Sequence, residues 1–143
     1  GPAVDQLRQT AAEGIFACGN VLHVHDLVDY VSEEAETAGR AAADYLLRGR
    51  VKTEELSVSA GEGIRYVLPQ RLRMDARETE LFFRASEVMG EAEVELCCEE
   101  RVIKRMKCRR LTPGEMQKLH VSTEELASLR AGDKPILKVR RSL

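Results

Sequence analysis

The chain has 143 residues, a formal net charge of −2 and 43% hydrophobic residues, with few aromatics and no Trp. That supports one core of moderate size, and the near-neutral charge leaves no electrostatic footprint for nucleic acid. No apolar run approaches the roughly 20 residues that span a bilayer, and no signal-peptide pattern is visible; four cysteines without Cys-x-x-Cys spacing suit a reducing, cytoplasmic setting.

Residues 1–13 read as an entry segment. The apolar run Ile15-Phe16-Ala17-Cys18, preceded by Gly14, has the length and composition of a short buried strand, and Gly19-Asn20 stops it. A loop over residues 21–26 follows, and then a helical pattern from Leu27 to about Arg48. Leu27, Val31, Ala35, Ala38, Ala42 and Leu46 recur at helical spacing and are the expected inner stripe, rich enough in Ala to lie close on a sheet. Asp26 is the expected N-cap, and Gly49 the stop. Asp29, Glu33 and Glu34 come early in the helix and Arg40 and Arg48 late, an order that complements its dipole.

The composition changes after residue 50. Residues 51–63 are polar and end in Gly61-Glu62-Gly63, a linker with one edge strand. Residues 64–143 carry period-two patterning. Strands are expected over Ile64–Leu68, ended by Pro69, over Glu80–Met89, over Met116–Val121 and over Ile136–Val139, with a hairpin over residues 92–110. The hairpin register expected from charge pairs Glu95 with Lys107 and Glu93 with Arg109, and Leu96 with Met106 and Val94 with Cys108 on the apolar face. Ser122 with Glu125 three residues on is a capping box opening a short helix. The expected fold is α+β: a strand, loop and long helix over residues 1–50, a linker over 51–63, and a small, mainly antiparallel β-sandwich-like region over 64–143.

The chemistry concentrates in the glycine turn and the helix start beyond it. Gly19 has no Cβ to keep a ligand from the backbone, and a helix N-terminus offers free N–H groups and partial positive charge. Thr10, Gly14, Ile15, Phe16, Ala17, Gly19 and Asn20, followed by Ala41, Ala42, Tyr45 and Leu46, form a pattern over the first third of the chain. It resembles the last FAD-contacting segment of the pyridine-nucleotide-linked flavoprotein oxidoreductases of the thioredoxin-reductase-like type. The resemblance implies an FAD contact built from Gly19, Asn20, Val21, His25, Asp26, Leu27 and Val28. Asn20 would take the place of the acid that bonds a ribitol hydroxyl, and the backbone N–H groups of residues 26–28 would meet the pyrimidine edge of the flavin, where negative charge develops on reduction.

The nucleotide motifs of those enzymes lie upstream, and no Gly-x-Gly-x-x-Gly occurs in this chain. The resemblance therefore implies the C-terminal part of an FAD- and NAD(P)-dependent oxidoreductase, inactive alone, whose partners are the upstream part of the same enzyme and either a second oxidoreductase subunit or another copy. It has no redox Cys pair, so a dithiol relay is not expected. His23-x-His25-Asp26 reads as metal-binding, as tuning a flavin, or as loop packing. Cys98 and Cys108 are expected to face inward as structural thiols. The basic run Lys104 to Arg110 lies opposite Glu91, Glu93 and Glu95 and reads as a salt-paired face. The competing reading is a β-sandwich module that docks a partner or a second copy. If the first strand and helix serve a larger sheet, their apolar residues Ile15, Phe16, Val31, Ala38 and Leu46 require cover, from the β-region or from self-association.

Overall fold

Alternation of apolar and polar residues beyond residue 55 produces strands that turn apolar faces to a common core. The computed structural model describes residues 1–75 and 78–141. Among them the protein is mixed α+β, with two α-helices and nine strands. Strands β1 (Glu55–Ser57) and β4 (Arg71–Arg73) form a two-stranded ribbon. Strands β3 (Ile64–Leu68), β5 (Thr79–Ala85) and β8 (Gln117–Val121) form an antiparallel sheet in the order β3-β5-β8. Strands β2 (Ser59–Ala60), β6 (Ala92–Cys98), β7 (Arg101–Cys108) and β9 (Ile136–Arg141) form a second sheet in the order β2-β9-β6-β7, in which only β2 with β9 is parallel. The helices are α1 (Val28–Arg48) and α2 (Thr123–Ala127).

The two larger sheets share one apolar core in which Leu81, Phe83, Val94, Leu96, Leu119 and Leu137 are fully enclosed. Burying each such side chain contributes about 1.5–3 kcal/mol. Ser122 caps α2 and Glu125 returns the bond, so the expected capping box is present. Segment 51–63 carries β1 and β2 where one edge strand was expected, and these tie it to β4 and β9.

The β6–β7 hairpin differs from its expected register by two residues. Glu95 stands opposite Arg105, Glu93 opposite Lys107 and Val94 opposite Met106. The turn falls at Glu99-Glu100, with Glu99 in the left-handed region at φ 54°. A slip of two preserves which face each residue takes, so the apolar side stays inside. A bulge between Leu96 and Cys97 lets Cys97 and Cys98 both be buried, while Cys108 is only partly so.

The N-terminal third departs further from expectation. The run Ile15–Cys18 is not a sheet strand: Phe16 makes a single bridge to Gln9, and Ile15 is 58% exposed. No neighbouring strand lies alongside it among the described residues, so its backbone turns back on the entry segment. That segment is pinned to the β-region. The Val4 carbonyl accepts from the Gln70 and Arg71 N–H groups, and Val4, Leu22 and Leu68 make a small second core.

Helix α1 has its expected bounds, and Gly49 ends it at φ 71°, its N–H donating to the Tyr45 carbonyl. The expected stripe is rotated: Glu34, Ala38 and Ala41 are the buried positions, flanked by half-buried Tyr30 and Tyr45, whereas Leu27 and Ala35 are exposed and Leu46 is 82% exposed. This is a shift of one residue, about 100° around the helix. The bonds of Glu34 and the ring contacts of Tyr30 with Phe82 and Tyr45 with Phe16 decide it over the Ala-rich alternative.

Candidate functional site

Four side chains converge beneath the Gly19 turn. Glu34, in the second turn of α1, is buried to 3% exposure, and its carboxylate faces Arg8, His23 and His25. Arg8 Nε lies 3.3 Å from Glu34 Oε2, and His25 Nε2 lies 3.0 Å from Oε1. The Gly19 N–H donates to that same Oε1 at 2.7 Å. His23 Nε2 stands 3.5 Å from Oε2. Burial pushes the Glu34 carboxyl up, but the contacts of His23, the Gly19 N–H and His25, with the Arg8 charge, outweigh it and hold the group down to about 2. An ionised carboxylate only accepts, so His25 carries its proton on Nε2.

A second set of bonds holds the loop from the β side. Arg84, on β5, donates from Nη2 to Asp26 Oδ1 at 2.6 Å and to the Val24 carbonyl at 2.9 Å, and from Nη1 to the Pro113 carbonyl. Its Nε donates to the Tyr66 hydroxyl at 3.3 Å, and that hydroxyl meets His23 Nδ1 at 3.1 Å. Because a guanidinium never accepts, the Tyr66 proton is free to point at His23 Nδ1. The imidazole proton then belongs on Nε2, against Glu34. Asp26 Oδ2 also accepts from the Met116 N–H at 2.7 Å. Burial raises the Asp26 carboxyl, and the Met116 N–H and Arg84 lower it by more, leaving it below the usual carboxylate range.

Asp26 is therefore not the helix cap. Leu27 occupies that position with no side-chain cap bond, because the guanidinium of Arg84 has taken the carboxylate. Among the described residues, the first N–H groups of α1 consequently have no side-chain acceptor.

The residues expected to meet a flavin are split between two faces of the loop. Gly19, Asn20 and Val21 form one 3-10 turn against which α1 packs. Gly19 sits at φ 80°, with nothing within 4 Å of where a Cβ would project. Asn20 is exposed and accepts from the His25 N–H at 3.4 Å. Val21, Leu27 and Val28 are exposed, Val28 to 78%. His25 instead turns its side chain inward onto Glu34, and the more exposed Asp26 directs its carboxylate at Arg84, so both support the turn rather than line its mouth.

The mouth is an open surface. A cleft of about 1100 Å³ lies elsewhere, between the second half of α1, the entry segment and the β1–β4 ribbon. His23, His25 and Glu34 each present one ligand atom, all within 4.8 Å of one another, a set that suits a divalent metal by spacing. Arg8 already brings a positive charge to Glu34 at that point. The four cysteines are free thiols, and burial raises Cys97, Cys98 and Cys108.

Glu34, Arg8, Tyr66 and Arg84 had not been expected at the site. One signal was available for Glu34: it is a carboxylate standing at helical spacing with Ala38 and Ala41. No helix of the chain is long and apolar enough to cross a membrane, among the described residues. No family model, curated protein or solved structure matches the chain.

Proposed function

We propose that the chain supplies the last flavin-contacting segment of an FAD- and NAD(P)-dependent oxidoreductase, acting with a nucleotide-binding region it does not itself contain. The observation that carries this reading is the pairing of an unobstructed left-handed glycine with an uncapped helix start, across an exposed rim of Val21, Leu27 and Val28. The fit is chemical. The glycine lets a flat ring approach the backbone, the apolar rim suits an aromatic face, and the helix start attracts negative charge. FAD, when bound, supplies hydride and electron transfer. Asn20 would hold a sugar-chain hydroxyl, and the free N–H groups at the start of α1 would stand against the electron-rich ring edge. The mouth is one wall of a site, so the chain alone should neither retain FAD nor transfer hydride. Its remaining wall, and cover for the exposed Leu46 and Leu47, would come from the upstream part of the same enzyme.

The test is to purify the protein that contains this chain together with its upstream region and measure visible flavin absorbance and heat-released FAD. Stoichiometric FAD is the expected result. A protein that purifies colourless and gains no flavin when supplied with it overturns the reading.

A further inference from the structure

We infer that Arg84 is a positioning residue for the ligand-contacting loop: the β-region, through this one guanidinium, sets the shape of the mouth at the start of α1. The inference rests on the flavin reading for its ligand, but its geometry stands apart from it.

Arg84 uses all three of its nitrogens. Nη2 reaches Asp26 and the Val24 carbonyl, Nη1 the Pro113 carbonyl, and Nε the Tyr66 hydroxyl. Tyr66 passes the constraint to His23, and Asp26 passes it to the Met116 N–H. Both residues that flank His25 in the loop are thereby fixed by a residue far along the chain on another element. No other side chain among the described residues bonds the Asp26 carboxylate.

The consequence for the helix mouth is direct. A carboxylate released by Arg84 stands one residue before Leu27, where it can swing to cap the first N–H groups of α1. It would then occupy the donors that an anionic ring edge needs and would place a negative charge in front of them. Arg84 keeps those donors free by holding Asp26 away. A lysine cannot reproduce this, since one ammonium cannot span four acceptors in a fork.

The experiment compares wild type, Arg84→Lys and Asp26→Asn. On the 143-residue chain, amide hydrogen exchange of residues 21–30 is followed with the thermal midpoint. With the upstream region present, FAD affinity is measured by titration. Arg84→Lys should speed exchange of residues 21–26, slow that of the first amides of α1 as Asp26 caps them, and weaken FAD on the order of tenfold. Arg84→Lys combined with Asp26→Ala should regain much of that affinity, because the competing cap is gone, which a merely structural role would not produce.

Wild-type exchange in Arg84→Lys overturns the clamp whatever the flavin result. Altered exchange with unchanged FAD affinity overturns the positioning role. If Arg84→Lys loses the cooperative thermal transition, Asp26→Asn, which weakens the ion pair while its amide oxygen can still cap α1 as Ala cannot, gives the same reading: altered loop exchange with weaker FAD supports the inference, and an unaltered loop overturns it. A wild-type protein without flavin fails the parent reading and removes the ligand from this inference, while the exchange data still decide the clamp.

Discussion

The β-region and the N-terminal third are held by different kinds of force. The first closes two sheets on a continuous apolar interior from Leu56 to Val139. The second has a three-residue apolar cluster and depends on buried charge and polar groups: Glu34 against Arg8, and Asp5 and Gln6 tied to the side chain and backbone of Arg73. Non-directional burial tolerates variation in register and partner, whereas a buried ion is stable only while every partner is present. The comparison teaches that the candidate ligand mouth stands on the more conditional half of the molecule.

The largest effect should come from the core. Phe83→Ala removes a fully buried ring and is expected to cost about 3–5 kcal/mol of global stability, read as a shifted urea midpoint by circular dichroism. Both regions should fall together. Survival of the N-terminal third after the sheets unfold would break the comparison.

Glu34→Gln acts from the other side. It leaves Arg8 buried without its counter-ion and is expected to cost about 3 kcal/mol, confined to residues 8–45. Amide exchange should accelerate in α1 while the sheets keep their protection; uniform acceleration would show a single cooperative unit.

Acid should do reversibly what that substitution does permanently. The folded Glu34 carboxyl is depressed from 4.5 to about 2, so its contribution is complete above pH 4.5 and is lost as pH falls from there toward 2. Protection of α1 amides, followed from pH 6 to about pH 2, should decline over that window in wild type and stay flat across it in Glu34→Gln.

The smallest effect tests a local device. Ser122→Ala removes the capping-box acceptor and is expected to cost about 1 kcal/mol, seen as a small drop in thermal midpoint with no change in α1 exchange.

The parts that were legible in the sequence follow the same division. Strand positions, the ends of α1 and the Ser122 box come from local patterns, which the chain can satisfy within a few residues. The hairpin register was missed by two because a slip of two leaves the face of each residue unchanged and the Glu99-Glu100 turn carries no glycine to mark it. The strand at Ile15–Cys18 was misread because strand formation needs a neighbour, which local sequence cannot supply. The rotation of α1 and the withdrawal of Asp26 from the cap both came from partners far away in the chain, Arg8 and Arg84. Charge pairs of such long range have no periodicity to read. Gly19 and the exposed rim were legible; the polar scaffold under them was not.

The empty space beside Gly19 separates two kinds of selection. The isolated chain asks only that this residue accept a left-handed backbone, which Asn or Asp does at modest cost. A library screened for folded protein should therefore accept those two residues there. The same library screened for cofactor retention should reject them, and the gap between the two tolerance profiles would mark where a foreign molecule, rather than this polypeptide, imposes the limit.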